Sequence, residues 1–163
     1  MKSTGEVMGM DATFEAAYLK SQLAAGQILP RSGGVFLSAK DRDKKWVADI
    51  GQQLVDLDYR LIATEGTAAI LKDAGLDSTI VHKLAAEQSP TIIDLMTAGE
   101  VQLIINTPSG LIARQNEVVI RSQAILRGVP IVTTHSGAVA TVAAIRCLKE
   151  QDWDVQALQD YFT

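Results

Sequence analysis

The chain has 163 residues, 47% of them hydrophobic and 21% charged, with a formal net charge of -4 and a pI near 5.1, which is the make-up of one soluble globular domain able to bury a core. An acidic balance argues against an electrostatic nucleic-acid footprint, and the single cysteine, Cys147 in an apolar helical context, excludes an internal disulfide framework or a cysteine-rich metal cluster. No apolar run has the length of a membrane span and the residues after Met1 lack the apolar core of a signal peptide, so cytoplasmic residence is expected.

Ser3 to Gly9 is punctuated by glycines and carries no periodic pattern. Asp11 is placed to cap a helix that carries Phe14, Ala17, Tyr18 and Leu23 near one face and closes at Ala24-Ala25-Gly26. Gly26 to Gly34, with Pro30 and two adjacent glycines, reads as a linker or boundary.

From Val35 a regular rhythm takes over. The apolar strand Val35 to Ala39 leads through a charged loop to a helix with Trp46, Val47, Ile50, Leu54 and Leu57 on one face. A second strand, Arg60 to Thr64, feeds a helix from about Thr67 to Asp73. A third, Thr79 to Leu84, precedes a helix near Pro90, a residue suited to the first helical position. Strand Val101 to Asn106 and a long helix from about Ile112 to Arg127 follow, then strand Pro130 to Thr134 and a helix from about Ala138 to Lys149. This alternation predicts an α/β fold: a parallel sheet, right-handed crossovers and helices on both faces.

Ligands of such sheets bind beyond the carboxyl ends of the strands. The sequence puts Lys40-Asp41-Arg42-Asp43-Lys44 there after the first strand and Thr64-Glu65-Gly66-Thr67 after the second. His82-Lys83 stands near the end of the third, Asn106-Thr107-Pro108-Ser109-Gly110 after the fourth and Thr133-Thr134-His135-Ser136-Gly137 after the fifth. Cations, hydroxyls, an amide and glycines on one rim suit a phosphate-type anion without requiring a metal.

Ala63 to Ala68 is central to this reading, because a strand running into a helix N-terminus presents unpaired amides and the positive end of the macrodipole. Glu65 would repel an anion and is expected to point to solvent. Each part also has a plainer interpretation. Thr64 or Thr67 would serve as an N-cap, Lys44 and Lys83 as solvated cations, and Asn106 to Gly110 as a turn. His82 would be a half-buried strand residue, and His135 beside Ser136 lacks triad spacing. No P-loop or dinucleotide fingerprint occurs, and no zinc-type cluster of histidines and carboxylates.

The run from Val35 to about Lys149, and above all Lys44, Ala63-Thr64-Glu65-Gly66-Thr67-Ala68, Lys83 and Ile104-Ile105-Asn106-Thr107-Pro108-Ser109-Gly110, resembles the methylglyoxal-synthase-like domain. The closest resemblance is to the carboxyl-terminal allosteric domain of carbamoyl phosphate synthetase large subunits. Lys2 to Gly9 with the Phe14 helix is similar to the end of that subunit's second synthetase unit. The resemblance implies that residues 1–32 are a tail of the ATP-grasp synthetase region with a linker, and residues 33–163 the regulatory domain. It implies a five-stranded parallel sheet in a Rossmann-like three-layer arrangement.

It further implies a nucleotide monophosphate effector, UMP or IMP, whose phosphate meets Lys44, Thr64, Gly66, Thr67, Lys83, Asn106 and Thr107. The nucleoside side would involve Pro108, Ser109 and Asn116, where Pro108 replaces a threonine and Asn116 an aspartate of some relatives. An ornithine-type site would use Thr133 and a tyrosine position that here is Ile131. The implied parent is a glutamine-hydrolysing, ATP-dependent ligase of pyrimidine and arginine biosynthesis that uses ATP, Mg and K. Its partners would be the rest of the large subunit, a small glutaminase subunit and copies of itself, with no cofactor or catalytic residue in this chain. The competing enzyme, methylglyoxal synthase, carries an aspartate in a Gly-Gly-Asp loop after its third strand. This chain reads Glu87-Gln88-Ser89-Pro90-Thr91 there, with Asp94 further on.

Overall fold

The computed structural model of the protein describes residues 2–3, 5–39, 45–82, 84, 88–107, 110–150 and 154–162, and the side chains of all of these but 2–3, 110–115, 158 and 162. A short antiparallel hairpin, β1 (Lys2–Ser3) and β2 (Glu6–Val7), precedes helix α1 (Phe14–Ala24). Five strands then alternate with helices: β3 (Gly33–Ala39), α2 (Val47–Asp56), β4 (Tyr59–Thr64), α3 (Glu65–Asp73), β5 (Thr79–Val81), α4 (Ile92–Thr97), β6 (Leu103–Thr107), α5 (Gly110–Arg127), β7 (Ile131–Val132) and α6 (His135–Glu150). A 3-10 turn at Leu158–Phe162 closes the described part. The sheet is all-parallel in the order β5-β4-β3-β6-β7, the five-stranded α/β architecture that the alternation predicts.

Each strand sends alternate side chains to opposite faces. Val35 and Leu37 of β3, Leu61 and Ala63 of β4 and Leu103 and Ile105 of β6 join residues of α2, α3, α6 and α1 in one aliphatic cluster. Phe36, Ile62, Val81 and Ile104 meet α4 and α5 in the other. Continuous apolar strands such as Leu103-Ile104-Ile105 follow from burial on both faces.

Several element ends differ from expectation, each for a local reason. Thr13, not Asp11, caps α1 by accepting the Ala16 amide, while the Asp11 carboxylate lies 2.7 Å from Lys20 Nζ. The buried residues of α1 are Ala16 and Leu19, whereas Phe14 is 65% exposed, because packing on α6 sets the rotation of the helix. Pro90 lies before the cap of α4 rather than inside the helix, since Thr91 and Asp94 form a capping box. α3 starts at Glu65, two residues early. β5 is only three residues long before His82 donates its amide to the Pro90 carbonyl. β7 stops at Val132 because the Thr134 hydroxyl accepts the Gly137 amide at 3.1 Å, and α6 begins three residues early at His135.

The residues before Gly33 pack onto the sheet unit. Leu19 and Leu29 sit in the same cluster as β3 and α6, and Tyr18 and Thr141 share a 3.2 Å hydrogen bond. The Tyr59 hydroxyl donates to the Pro30 carbonyl. Gly9 is required where the tail crosses α1: a Cβ there would lie 2.0 Å from the Ala17 carbonyl oxygen.

Candidate anion site at the carboxyl edge of the sheet

A parallel sheet aligns all its strand carboxyl ends on one edge. From β3 the chain steps outward through β4 to β5 and then crosses to β6 on the other side, so the strand order reverses between β3 and β6. A crevice opens at such a switch point. Its floor is the in-register pair Ser38 and Asn106 and the pair Ala39 and Thr107.

Burying polar side chains costs free energy unless they are satisfied, so they are scarce in an aliphatic core. Among the described residues the buried polar side chains are Thr67, Asn106, Thr107 and Thr141, and all but Thr141 lie at this edge. Thr67 is the third residue of α3. Its Oγ1 accepts the Ala39 amide at 3.3 Å and the Thr64 hydroxyl at 3.4 Å, tying the first turn of α3 to the last residue of β3. Because Thr67 accepts both bonds, its own hydroxyl hydrogen is left for an acceptor at the rim.

The expectation that Thr64 or Thr67 caps the helix is corrected by this geometry. Thr64 occupies the N-cap position with extended backbone, φ -72° and ψ 154°, but its side chain makes no capping bond because it is spent on Thr67. The first amides of α3 therefore receive no side-chain acceptor from the cap residue, and the positive end of the helix dipole faces the rim. Glu65 turns to solvent as expected, with 74% of its side chain exposed, and its Oε1 lies 3.7 Å from Nδ1 of the half-buried His82.

The fold thus brings Thr64, Gly66, Thr67, Asn106 and Thr107 to the carboxyl ends of β4 and β6, the two strands that flank β3. Thr133 follows β7, and Ile131 of β7 packs partly buried on the α4 and α5 side of the sheet. Asn116 is half-buried on α5, about 9 Å along the axis from Gly110 at 1.5 Å per residue. Lys44, Lys83, Pro108, Ser109 and Glu87 lie outside the described residues.

Two rim features were not singled out from the sequence. The Ala39 amide is a backbone group with no sequence signature. Trp46, just before α2, stacks on His135 at the start of α6, with ring centroids 4.9 Å apart and planes at 21°. Trp46 Nε1 is buried and has no hydrogen-bond partner among the described residues. Only the two sequence positions, each at the start of a helix that follows a strand, hinted that these rings stand at the same edge.

Asp94 is the described acid that follows the Glu87-to-Thr91 stretch. Its Oδ2 accepts from the Thr91 amide at 2.7 Å, the Thr91 hydroxyl at 2.9 Å and the Ser89 hydroxyl at 3.2 Å. The Thr91 amide foremost, then its hydroxyl and that of Ser89, hold the carboxyl below its ordinary value. It is a helix-capping group and a weakened base. Among the described residues no three His, Cys, Asp or Glu side chains converge as a metal site, and no helix is long and apolar enough to cross a membrane.

Comparison with known proteins adds the following. The MGS-like domain family matches residues 46–133. The chain is 43% identical over 161 residues to the carbamoyl phosphate synthase large chain of Synechocystis sp., an alignment covering 99% of this chain and 15% of that one. It is 47% identical to the C-terminal section of the large chain of Methanopyrus kandleri, covering 98% and 30% respectively. For the corresponding section from Methanocaldococcus jannaschii the identity is 42%, covering 98% and 26%. This chain therefore spans less than a third of the length of these relatives.

Proposed function

Because the chain belongs to the MGS-like domain family and is homologous over nearly its whole length to parts of carbamoyl phosphate synthase large chains, we propose that it is a regulatory domain that senses a nucleotide monophosphate. The observation that carries this reading is the concentration of buried polar side chains, Thr67, Asn106 and Thr107, at the switch point of an otherwise aliphatic sheet. The effector's phosphate sits over the start of α3. It takes hydrogen bonds from the first amides, Gly66 included, and from the hydroxyls of Thr64 and Thr67, with Asn106 and Thr107 beside it and Lys44 and Lys83 supplying charge. UMP or IMP is the effector of this reading, its nucleoside reaching towards Pro108, Ser109 and Asn116.

The chain acts without chemistry of its own, in the cytoplasm, on the ATP-dependent, glutamine-hydrolysing ligase it belongs to, and so on the supply of carbamoyl phosphate for pyrimidines and arginine. Its partner is the rest of the large subunit. Control follows only if the effector binds one arrangement of the two more tightly than the other, since a ligand shifts an equilibrium by its differential affinity alone. Ornithine is not part of this reading, because Ile131 offers no hydroxyl.

The lyase alternative requires a base beside the phosphate cradle to remove a proton next to a carbonyl. Asp94 is committed to the cap of α4, which disfavours that reading. Calorimetric titration of UMP and IMP into the chain is the test, with Lys44→Ala and Lys83→Ala as controls. Binding weakened by both substitutions is expected; no heat from either nucleotide at millimolar concentration overturns the effector assignment. Production of methylglyoxal from dihydroxyacetone phosphate, abolished by Asp94→Ala, would establish the lyase instead.

A further inference from the structure

Glu65 is an acid in the first turn of α3, the helix over which the anion site lies. A carboxylate at such a position ordinarily stabilises the helix through its dipole. Beside a phosphate it competes for the same positive end. The sheet dictates what stands next to it. β4 and β5 pair in parallel with Thr64 opposite Val81, so the next residues along the two strands, Glu65 and His82, come side by side. Glu65 Oε1 lies 3.7 Å from His82 Nδ1. The backbone of the histidine is fixed there, because its amide donates to the Pro90 carbonyl at 2.9 Å and it bridges to Thr91.

We propose that Glu65 and His82 form a proton-controlled brake on the anion site. While His82 is neutral, the Glu65 carboxylate weakens the binding of a phosphate dianion over the start of α3; a proton on His82 offsets that charge and releases the brake. The inference rests on the effector reading above and adds to it a dependence on pH. Imidazole is the side chain suited to this, since it changes charge between about pH 5 and 8. Linkage fixes the sign. The protonated pair binds the dianion more tightly, so affinity rises as pH falls through the titration of His82, and a bound effector strengthens the hold of His82 on its proton by the same factor.

The surroundings single out Glu65 as the charge that faces His82. β5 contributes Thr79, Ile80 and Val81, and the segment bonded to His82 contributes Gln88, Ser89, Pro90 and Thr91, none of them charged. Asp94, beyond Thr91, is committed to the cap of α4. Lys72 and Asp73 lie at the far end of α3, about 10–12 Å along its axis. Lys83 lies outside the described residues and is common to every variant compared below. Gly66 and Thr67 share a turn with Glu65, which puts its carboxylate within roughly 5–10 Å of an anion held there. At that range a unit charge changes the Kd of a dianion by about three- to tenfold at low ionic strength.

Calorimetric titration of UMP and IMP into the 163-residue chain at about pH 8 and about pH 6.5, in low salt, tests the proposal. The nucleotide's phosphate has its own second ionisation at about 6, so the change between the two pH values is read against that of His82→Asn, which meets the same ligand without an imidazole. The wild type is expected to gain about three- to tenfold in affinity over His82→Asn on going to the lower pH, and Glu65→Gln to bind about three- to tenfold more tightly than wild type at the higher pH. An equal pH response in wild type and His82→Asn overturns the inference and leaves the effector reading standing. So does a Glu65→Gln chain that binds no more tightly than wild type at the higher pH. No heat from either nucleotide with the wild type at both pH values overturns the effector reading itself, and this inference with it.

Discussion

Thr67→Val removes a single hydroxyl while keeping the shape of a side chain that is 1% exposed. In the protein that hydroxyl accepts the Ala39 amide at 3.3 Å and the Thr64 hydroxyl at 3.4 Å. Both bonds are long, so the expected loss of stability is about 1 kcal/mol, the low end for leaving a partly buried donor unmet. For a domain of this size that lowers Tm by about 2–4 °C. On the proposed effector reading, the phosphate loses a hydrogen bond to a charged acceptor, worth about 1.5–3 kcal/mol. That corresponds to a rise of about ten- to a hundredfold in Kd. Urea unfolding and calorimetric titration of UMP and IMP at one pH and salt concentration measure the two effects separately. An affinity unchanged within about twofold would refute Thr67 as a phosphate ligand. A stability loss above about 4 kcal/mol would refute the packing argument, since Thr67 would then be holding the junction of β3 and α3 by itself.

Three further outcomes follow from the same contacts. Asp94→Ala breaks the capping box of α4 and lowers Tm at neutral pH. The wild-type carboxyl titrates below its unfolded value, so its contribution is present above that value and is lost as pH falls through the folded one, and acid melts of the two proteins converge. Burial pushes the Tyr59 hydroxyl up to about 12, so its contribution is intact below pH 10 and is lost as pH rises towards 12. Tyr59→Phe therefore abolishes an alkaline loss of about 2 kcal/mol while costing about 1 kcal/mol at pH 7 through the bond to Pro30, both read from urea midpoints. Leu19→Ala deletes a fully buried side chain shared by α1 and the sheet unit and costs about 2–5 kcal/mol in one cooperative transition. A separate early melting of the first thirty residues would show that their packing is not part of that core.

The rhythm of apolar runs was enough to order the five strands and their helices, because strands buried on both faces, such as Val35 to Leu37 and Leu103 to Ile105, leave little ambiguity. It failed at element ends, where one side-chain bond decides. Thr13 displaced Asp11 as a cap because Asp11 is drawn to Lys20, and Thr134 ended β7 by bonding Gly137. The rotation of α1 was also hidden, since Phe14 is the larger residue but α6 accepts Leu19 and Ala16. At the rim, hydroxyls and glycines were legible as residue types in Thr64, Gly66, Thr67, Asn106 and Thr107. That Thr64 spends its hydroxyl on Thr67, and Thr67 accepts from Ala39, depends on the distance between two strands that no local pattern encodes.

Helix α6 reaches both ends of the molecule. Its first residue stacks on Trp46 at the crevice, Thr141 bonds Tyr18 of α1, and Lys149 donates to the Leu57 carbonyl and sits 5.3 Å from the Tyr59 ring, beside Pro30. Sixteen residues at 1.5 Å each make a rod about 24 Å long. One helix thus ties the indole at the crevice to the segment that leads into the first strand of the sheet.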